Sequence, residues 1–390
     1  MSEFRVKKLE EIAEYKTGKL NSNAAVIDGE FPFFTCSRET FRTNTGSFDC
    51  ECILLAGNNA NAEYPIKYFS GGKFDAYQRT YVITPKDERN LNIRYLYYVL
   101  ELKLNLLKSI STGVTTKFLT KTILDQLEIK LPSIEHQEKI VSVLAPIEML
   151  IENNNRRISI LEEMARLIYR EWFVHHRYPG HENDKMVDSA TEFGEVPEGW
   201  GVRKLEDFGR IETGKTPPKK DPDNYGDYMP FIKTPDMHDQ FFVISTTDNL
   251  SEIGAKSQKK KTLPPNSICV SCIGTAGVIA LTSVPSQTNQ QINSIILDKE
   301  STREYLYYAI KDLCPLMEKI GSTGATMTNV SKGKFQALEV IWPREELIDK
   351  YHKKVAKMFD RIKVLQKQNL KLKATRDLLL PRLISGNLEV

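Results

Sequence analysis

The sequence predicts a mixed α/β (α+β) protein that consists of two globular domains of one plan and two long antiparallel helices forming a coiled coil. Three observations lead to this prediction. Two ladders of apolar residues have the spacing of a coiled coil, and a set of short motifs occurs twice in the same order. Between those motifs, short strand-like runs alternate with helical patterns.

The two apolar ladders predict a pair of long helices. Their members recur in alternating steps of four and three residues, which is the a/d spacing of a heptad repeat. So narrow a stripe stabilises a helix only when it packs against a partner, so the two ladders are predicted to pack together with Asn154 and Asn369 fixing the register. The first ladder comprises Ile140, Leu144, Ile147, Ile151, Asn154, Ile158, Leu161, Ala165, Ile168 and Trp172, and the second comprises Tyr351, Val355, Met358, Ile362, Leu365, Asn369, Leu372, Arg376, Leu379 and Leu383.

Each ladder contains one proline. An interior proline removes a backbone donor and costs about 3 kcal/mol, so Pro146 predicts either a kink or a helix that begins there. Pro381 predicts the end of the second helix, before Leu383.

Composition limits the class of protein. A chain of 390 residues with 41% hydrophobic residues and a net charge of +3 is typical of a soluble globular protein of two or three domains. No apolar run has the length of a membrane span and no signal peptide opens the chain, so we expect a cytoplasmic protein. Cys269 and Cys272 form a C-x-x-C motif without a second pair, which favours buried thiols over a metal site.

An internal repeat organises the chain. The following segments return in the same order: residues 6–10 as 202–206, 17–19 as 213–215, 95–98 as 305–308, 111–113 as 322–324, and 127–132 as 338–343. The ladders repeat as well, since Ile151 corresponds to Ile362. The middles of the two globules, residues 20–94 and 216–304, differ in sequence and length. A shared frame with divergent centres predicts two domains that do the same job on different targets.

Local patterns place secondary structure within the globules. Runs rich in β-branched and apolar residues predict strands over 52–56, 80–84, 267–272 and 292–297. Helices are predicted over 93–108 and over the repeated segment 303–320. Residues 177–200 contain prolines, glycines and acidic residues, which predicts a surface linker.

Three segments carry a resemblance to a known family. Residues 375–386, TRDLLLPRLISG, are similar to a C-terminal signature, residues 194–200 with 202–214 to a domain entrance, and residues 131–140 to a passage into a spacer helix. With the repeat, they resemble the DNA-specificity subunits of type I restriction–modification enzymes. The resemblance implies target-recognition domain 1 (1–132), a central spacer helix (133–176), a linker (177–200), target-recognition domain 2 (201–343), a C-terminal spacer helix (344–384) and a tail (385–390).

The resemblance also implies a function. The chain is expected to be a non-catalytic subunit that recognises a bipartite asymmetric site on double-stranded DNA. Expected partners are two modification methyltransferase subunits, which bind S-adenosylmethionine, and restriction/translocase subunits, which use ATP and Mg. The chain itself is expected to have no cofactor, no metal, no catalytic residue and no membrane partner.

Two alternative functions stand beside this expectation. Residues 209–216 fit the G-x-x-x-x-G-K-[ST] phosphate loop, which suggests a coiled-coil nucleotide hydrolase. A phosphate loop needs a buried strand before it and a helix after it, whereas residues 202–208 are charged and 217–222 are rich in proline. The second alternative is a structural scaffold that binds no DNA.

Candidate DNA contacts are polar residues in the divergent middles and the repeated loops. Lysines and hydroxyls suit phosphates, whereas Arg, Asn and Gln suit base edges, although each residue alone also fits ordinary turn or capping chemistry. The candidates in the first globule are Lys19, Arg38, Arg42, Asn58, Asn59, Asn61, Gln78, Arg79, Thr115, Thr116 and Lys117. Those in the second are Lys215, Lys219, Lys220, Lys256, Lys259, Lys260, Lys261, Asn289, Gln290, Gln291, Thr326 and Thr328.

Overall fold

The structure is a computed structural model that describes residues 5–60, 62–189, 191, 193–322 and 328–390. The chain forms two compact units. Unit 1 comprises Met1–Met149 and Leu372–Val390, and unit 2 comprises Leu150–Lys371. Asn61 and Thr326, two of the candidate residues, lie outside the described residues.

Unit 1 contains short strands with small helices between them. Its sheets have the strand orders β2-β10-β6-β8, β4-β3-β9-β5, β1-β12 and β11-β7. The strands are β1 Arg5–Lys8, β2 Ala13–Thr17, β3 Phe31–Phe34, β4 Thr40–Thr43, β5 Phe48–Asp49, β6 Cys52–Ala56, β7 Asn58–Asn59, β8 Ile66–Phe69, β9 Lys73–Ala76, β10 Thr80–Pro85, β11 Lys117–Phe118 and β12 Glu128–Leu131. The helices are α1 Leu9–Ile12, α2 Ile93–Leu102, α3 Leu104–Ile110 and α4 Lys121–Asp125.

Unit 2 repeats this plan with additions. Its sheets have the orders β16-β24-β20-β22-β18, β19-β17-β23, β15-β26, β21-β25 and β13-β14. The strands are β13 Met186–Asp188, β14 Glu195–Pro197, β15 Gly201–Lys204, β16 Gly209–Thr213, β17 Tyr225–Ile232, β18 Phe242–Val243, β19 Asp248–Leu250, β20 Ile268–Ser271, β21 Ile273–Gly274, β22 Ile279–Thr282, β23 Gln287–Thr288, β24 Ile292–Leu297, β25 Thr328–Asn329 and β26 Glu339–Trp342. The short helices are α6 Thr234–Met237, α7 Glu252–Ser257, α8 Arg303–Asp312, α9 Cys314–Gly321 and α10 Lys332–Gln336.

The four predicted strands correspond to β6, β10, β20 and β24. Every residue of β6 and β20 is buried, which explains their continuous apolar sequence. Cys269 and Cys272 are buried as predicted. Each of the two predicted helices is broken once, at Lys103 and at Leu313, and Pro315 at the start of α9 accounts for the second break.

The segment predicted as a surface linker is structured. It contains a short 3-10 helix, His181–Asn183, and the hairpin β13–β14. Tyr178 and Trp200 stack with their ring centroids 5.6 Å apart and belong to the core of unit 2. The apolar and aromatic residues at the ends of this segment therefore outweigh its loop-like composition.

The two long helices form as the ladders predict, but both proline predictions need correction. Helix α5 spans Ile134–Tyr169 and continues as a π-helical turn, Arg170–Val174, while α11 spans Glu345–Ser385. The alternative that the first helix begins at Pro146 is wrong, and so is the prediction that Pro381 ends the second, because both prolines lie inside their helices. Both are exposed, so water can satisfy the carbonyl group that lacks its helical donor.

The helices pack in an antiparallel arrangement within each unit. In unit 1, Ile140 and Leu144 of α5 share a core with Leu380 and Leu383 of α11. Leu383 is thus a buried member of the ladder. In unit 2, Ala165 lies near Tyr351, whose hydroxyl donates to the Ala165 carbonyl at 3.3 Å, whereas Asn154 lies near Asn369. The early part of one helix therefore meets the late part of the other.

Two buried asparagines pair across the helices of unit 2. Asn154 Nδ2 donates to Asn369 Oδ1 at 2.9 Å, and Asn369 Nδ2 donates to Asn155 Oδ1 at 2.8 Å. Asn154 and Asn369 are each only 6% exposed, so this exchange satisfies amides that burial removes from water. The structure brings these two residues together at the position that the ladders predict.

Candidate nucleic-acid interface

One edge of the main sheet collects several candidate residues of each unit. In unit 1, β2 and β6 end at the edge where β10 begins, because β10 is antiparallel to both. Lys19 follows β2, Asn58 and Asn59 follow β6, and Gln78 and Arg79 precede β10. The antiparallel topology therefore brings together residues that are far apart in the sequence.

Unit 2 has the same arrangement, and hydrogen bonds establish the equivalence. Strands β16 and β20 end where β24 begins. In unit 1 the Gly57 amide donates to the Arg79 carbonyl at 2.7 Å, and in unit 2 the Cys272 amide donates to the Gln291 carbonyl at 2.7 Å. Gln291 therefore occupies the place of Arg79 in the shared backbone.

The repeated Thr-Gly-Lys motif places a lysine at each edge. A Cβ atom on Gly18 would lie 1.8 Å from the carbonyl oxygen of Ala76, and one on Gly214 would lie 2.2 Å from that of Asn289. Only glycine allows such an approach of two backbones. The repeated glycine thus has a structural role, and it presents Lys19 or Lys215, both exposed, beside the start of the central strand.

A short two-stranded sheet completes the edge of unit 1. Strand β11 pairs with β7, so that Lys117 lies opposite Asn59 and Phe118 opposite Asn58. The Arg79 guanidinium lies over the Phe118 ring, 5.3 Å from its centroid. Asn58 Oδ1 accepts a hydrogen bond from Cys36 Sγ at 3.1 Å, a neighbour that the sequence did not suggest. Thr115 and Thr116 lie in the loop that leads into β11.

The two remaining candidate arginines of unit 1 are held in other contacts. Arg42 donates to the carbonyl groups of Gly29 and Glu30, each at 2.8 Å, so its guanidinium closes a loop of its own unit. Arg38 forms an exposed ion pair with Glu63 at 3.3 Å. An exposed pair of this kind is weak, so Arg38 can change partners more readily than Arg42.

The polar residues at the edge of unit 2 contact one another. Thr216 Oγ1 donates to Gln290 Oε1 at 2.6 Å, and Asn289 Nδ2 donates to Gln291 Oε1 at 2.9 Å. Asn289 is 8% exposed, which makes it a structural support for the exposed Gln290 and half-buried Gln291. Thr328 lies on β25, opposite Gly274 of β21. The repeat locates Thr328, whereas nothing in the sequence indicates that Gly274 is its partner or that Ile273 lies opposite Asn329.

A group of lysines lies beside this edge in unit 2. We call Lys215, Lys219, Lys220, Lys256, Lys259 and Lys260 the lysine arm; all six are exposed. A buried amide holds one segment to β23, since Gln258 Nε2 donates to Gln287 Oε1 at 2.7 Å. The other segment is braced internally, since Asn224 Nδ2 donates to the Pro218 carbonyl at 3.2 Å. The arrangement is a positively charged surface on a fixed support.

Two of the predicted lysines have acidic partners. Lys261 forms an ion pair with Glu212 of β16, which joins the lysine segment to the strand that leads into Lys215. Lys256 pairs with Glu252 at 2.7 Å, and the hydrogen bond and charge of this carboxylate raise the pKa of Lys256. Lys259 and Lys260 are thus the better candidates for phosphate contacts.

The letters of the phosphate-loop motif do not form a phosphate loop. Gly209–Thr213 is strand β16, and the described chain after Thr216 continues into a 3-10 turn, Pro222–Asn224, instead of a helix. Within the described residues, no group of three or more His, Cys, Asp or Glu side chains is placed to hold a metal ion. No described helix is both long and apolar enough to cross a membrane.

Comparisons with known proteins agree with this geometry. Residues 1–163 and 197–374 match the family of the type I restriction modification DNA specificity domain. The type I restriction enzyme HindI specificity subunit of Haemophilus influenzae is 35% identical over an alignment of 317 residues. The alignment covers 67% of this chain and 69% of that protein. The MjaIX specificity subunit of Methanocaldococcus jannaschii is 29% identical over 313 residues, 79% of this chain and 71% of that protein.

A solved structure shares the fold. The crystal structure of a type I restriction–modification S subunit from M. genitalium has a TM-score of 0.65 at 15% sequence identity, and the likeness covers 98% of this chain and 96% of that one. At this level of identity the comparison supports the fold and nothing more specific.

Two units of one plan, each with a polar and basic strand edge, define a duplicated nucleic-acid-binding protein. The family match, which covers most of the chain, makes the class more specific. The chain belongs to the specificity subunits of type I restriction–modification enzymes, which recognise DNA and assemble with the other subunits of the enzyme. The comparisons support neither a nucleotide hydrolase nor a scaffold without DNA.

Proposed function

We propose that unit 1 and unit 2 each bind one half of a bipartite asymmetric DNA site. The observation that carries the proposal is the equivalent placement of unlike residues at the same strand edge. Arg79 and Gln291 occupy one position of the shared frame, and Asn58 and Ile273 occupy another. Arg suits guanine, whereas Gln suits adenine, so one frame with two sets of side chains suits two different half-sites.

The lysine arm supports a role in binding the DNA backbone. Lysine contacts to phosphates fix the position of a protein on the duplex without reading its sequence. We propose that Lys259, Lys260, Lys219 and Lys220 make such contacts for unit 2. Lys117 and Lys19 are the corresponding candidates in unit 1.

We propose that the chemistry belongs to the partner subunits. Two modification methyltransferase subunits dock on this chain and supply S-adenosylmethionine, and restriction/translocase subunits supply ATP-dependent translocation with Mg. The chain itself then needs no cofactor. Its contribution to the reaction is to select the DNA sequence on which the partners act.

The proposal is tested by mapping methylated bases across a genome in a host that expresses this chain with its methyltransferase partner. We expect methylation at one split motif, with two specified half-sites and unspecified bases between them. A host without this chain is the control and should lack the motif. A single uninterrupted motif, or methylation without sequence preference, would contradict the assignment of one half-site to each unit.

Two variants connect the motif to the structure. Arg79→Ala is expected to relax the requirement at one position of one half-site, and Gln291→Ala at one position of the other. Loss of one base-edge contact typically costs about 1–3 kcal/mol of discrimination. The measurement is competition binding by the assembled complex against duplexes that vary at each position. If both variants relaxed the same half-site, the proposed division of labour would be wrong.

A further inference from the structure

We propose that Val114 is a base-reading residue of unit 1 that contacts the 5-methyl group of a thymine in the major groove. This inference rests on the proposed function, in which unit 1 binds one half-site. It adds an apolar contact to a set of candidates that otherwise consists of polar and charged side chains.

The exposure of Val114 first draws attention to it. The residue is 97% exposed, and among the large apolar residues that the structure describes only Ile27, at 94%, is comparably exposed. A single exposed apolar residue is common on protein surfaces and alone indicates nothing. A functional role for Val114 is supported by the geometry of its loop and by the residues around that loop.

The loop presents Val114 in a fixed position. Thr112 and Phe118 exchange two backbone hydrogen bonds, at 3.1 and 2.8 Å, which close the base of the loop. Gly113 has a φ of +105°, and a Cβ atom there would lie 2.1 Å from the Thr116 carbonyl oxygen. The backbone at Gly113 therefore packs closely against the carbonyl group of Thr116, on either side of Val114 in the sequence. A residue held in this way loses little conformational freedom when it binds.

The surroundings of the loop suit DNA. The loop leads into β11, where Lys117 lies opposite Asn59, and Arg79 stacks on the Phe118 ring of the same strand. The base of the loop that holds Val114 therefore lies among a cation that suits phosphates and amide and guanidinium groups that suit base edges.

The chemistry of Val114 favours thymine. In the major groove, an A·T pair displays the N6 and N7 atoms of adenine, which suit an asparagine amide, next to the methyl group of thymine, which suits an apolar side chain. The apolar Val114 side chain therefore suits the thymine of such a pair. Side chains that wedge between base pairs are typically longer, such as Phe, Leu, Ile and Met, so the short valine favours contact with a methyl group.

The experiment uses the full chain assembled with its methyltransferase partner and the target duplex identified by methylation mapping. Each thymine of the two half-sites is replaced in turn by deoxyuridine, which lacks only the methyl group. Wild type, Val114→Ala and Val6→Ala complexes are then titrated against each duplex. Val6 is the matched control, because it is an exposed valine far from the candidate edge. It lies on β1, which comes before the start of β2, whereas the candidate residues follow the end of β2.

We expect one deoxyuridine substitution to weaken wild-type binding about fourfold, which corresponds to the ~0.8 kcal/mol of one buried methyl group. Val114→Ala should weaken binding to the thymine duplex by a similar or larger factor. The affinity of this variant should be the same for the thymine duplex and for the duplex with deoxyuridine at that position. Val6→Ala should behave as wild type. Thermal unfolding of each variant should be unchanged, since neither side chain is buried.

Other results would overturn the inference. If Val114→Ala bound the target duplex as tightly as wild type, Val114 would make no contact with the DNA. If the loss of affinity caused by Val114→Ala were the same on the thymine duplex and on every deoxyuridine duplex, the thymine methyl group would not be the partner of Val114. Failure of the proposed function is distinguishable from both, because then the wild-type complex itself would show no preference among duplexes.

Discussion

The strand edges of unit 1 and unit 2 share a backbone and differ in their side chains. At equivalent positions, unit 1 has Asn58 where unit 2 has Ile273, and Arg79 where unit 2 has Gln291. Unit 2 adds the lysine arm, for which unit 1 shows no matching run of lysines in its sequence. The difference indicates that the frame of a unit and its chemistry are separable. We therefore expect unit 2 to depend more on phosphate contacts and unit 1 more on base edges.

Exchange of the divergent middle is expected to have the largest effect. Replacing residues 20–94 with the corresponding segment of a relative should abolish recognition of one half-site and leave the other intact. The loss should approach the full gap between specific and non-specific binding, at least about a thousandfold. Methylation mapping measures the outcome. A motif changed in both halves would show that the units do not act separately.

The glycine of the Thr-Gly-Lys motif tests whether the shared frame is rigid. Gly18→Ala and Gly214→Ala should each lower the free energy of unfolding by about 3 kcal/mol, the upper end of the usual cost of overpacking, because the added methyl group meets backbone atoms that have little room to move. Thermal unfolding is the measurement. The control is Gly201→Ala, since no atom lies within 4 Å of a Cβ atom there. Equal melting temperatures for Gly214→Ala and Gly201→Ala would refute the role of the close approach.

The Asn154–Asn369 pair between α5 and α11 of unit 2 allows a test of how much a buried polar contact contributes to stability. Asn369→Leu removes the partner of both Asn154 and Asn155 and should cost about 1–3 kcal/mol, the penalty for a buried polar group left unsatisfied. The double variant Asn154→Leu, Asn369→Leu should recover most of that loss, because an apolar pair of similar shape needs no hydrogen bond. Urea unfolding measures both. A double variant no more stable than the single one would count against the pair as the cause.

The smallest expected effect concerns single lysines of the arm. Lys259→Ala should weaken binding severalfold on every DNA sequence and reduce the slope of log K against log salt by about one. Lys256→Ala should reduce the slope less, because Glu252 already pairs with that lysine. Titration of the assembled complex at several salt concentrations gives both slopes. An unchanged slope for Lys259→Ala would remove this residue from the phosphate contacts.

Much of the fold was predictable because its signals are periodic or repeated. The heptad ladders predicted α5 and α11, and the apolar runs predicted β6, β10, β20 and β24, since burial on both faces leaves a continuous apolar sequence. The predictions that a helix begins at Pro146 or ends at Pro381 failed because they used only the general cost of a proline inside a helix. Both prolines face solvent, where the lost hydrogen bond costs less. Tertiary packing also decided Tyr178 and Trp200, whose burial no local composition reveals.

The candidate interface was less predictable from the sequence. The repeated segments do not extend into the middles of the globules, so the equivalence of Gln291 and Arg79 is established by backbone hydrogen bonds and not by the repeat. Nothing in the sequence indicates that Arg42 is held by the carbonyl groups of Gly29 and Glu30, or that Lys261 is paired with Glu212. Such partners depend on which loops meet in space. Residue type suggests chemistry, whereas availability depends on tertiary contacts.

The strand edges that carry the candidate residues are closed by main-chain hydrogen bonds. In unit 1 the Leu119 amide donates to the Gly57 carbonyl at 2.9 Å, and in unit 2 the Val330 amide donates to the Cys272 carbonyl at 2.8 Å. Hydrogen bonds of this kind do not depend on which side chains the neighbouring residues carry. Mutation can therefore replace the outward-facing residues at little cost in stability, and a lineage can acquire a new DNA motif while it inherits the same scaffold.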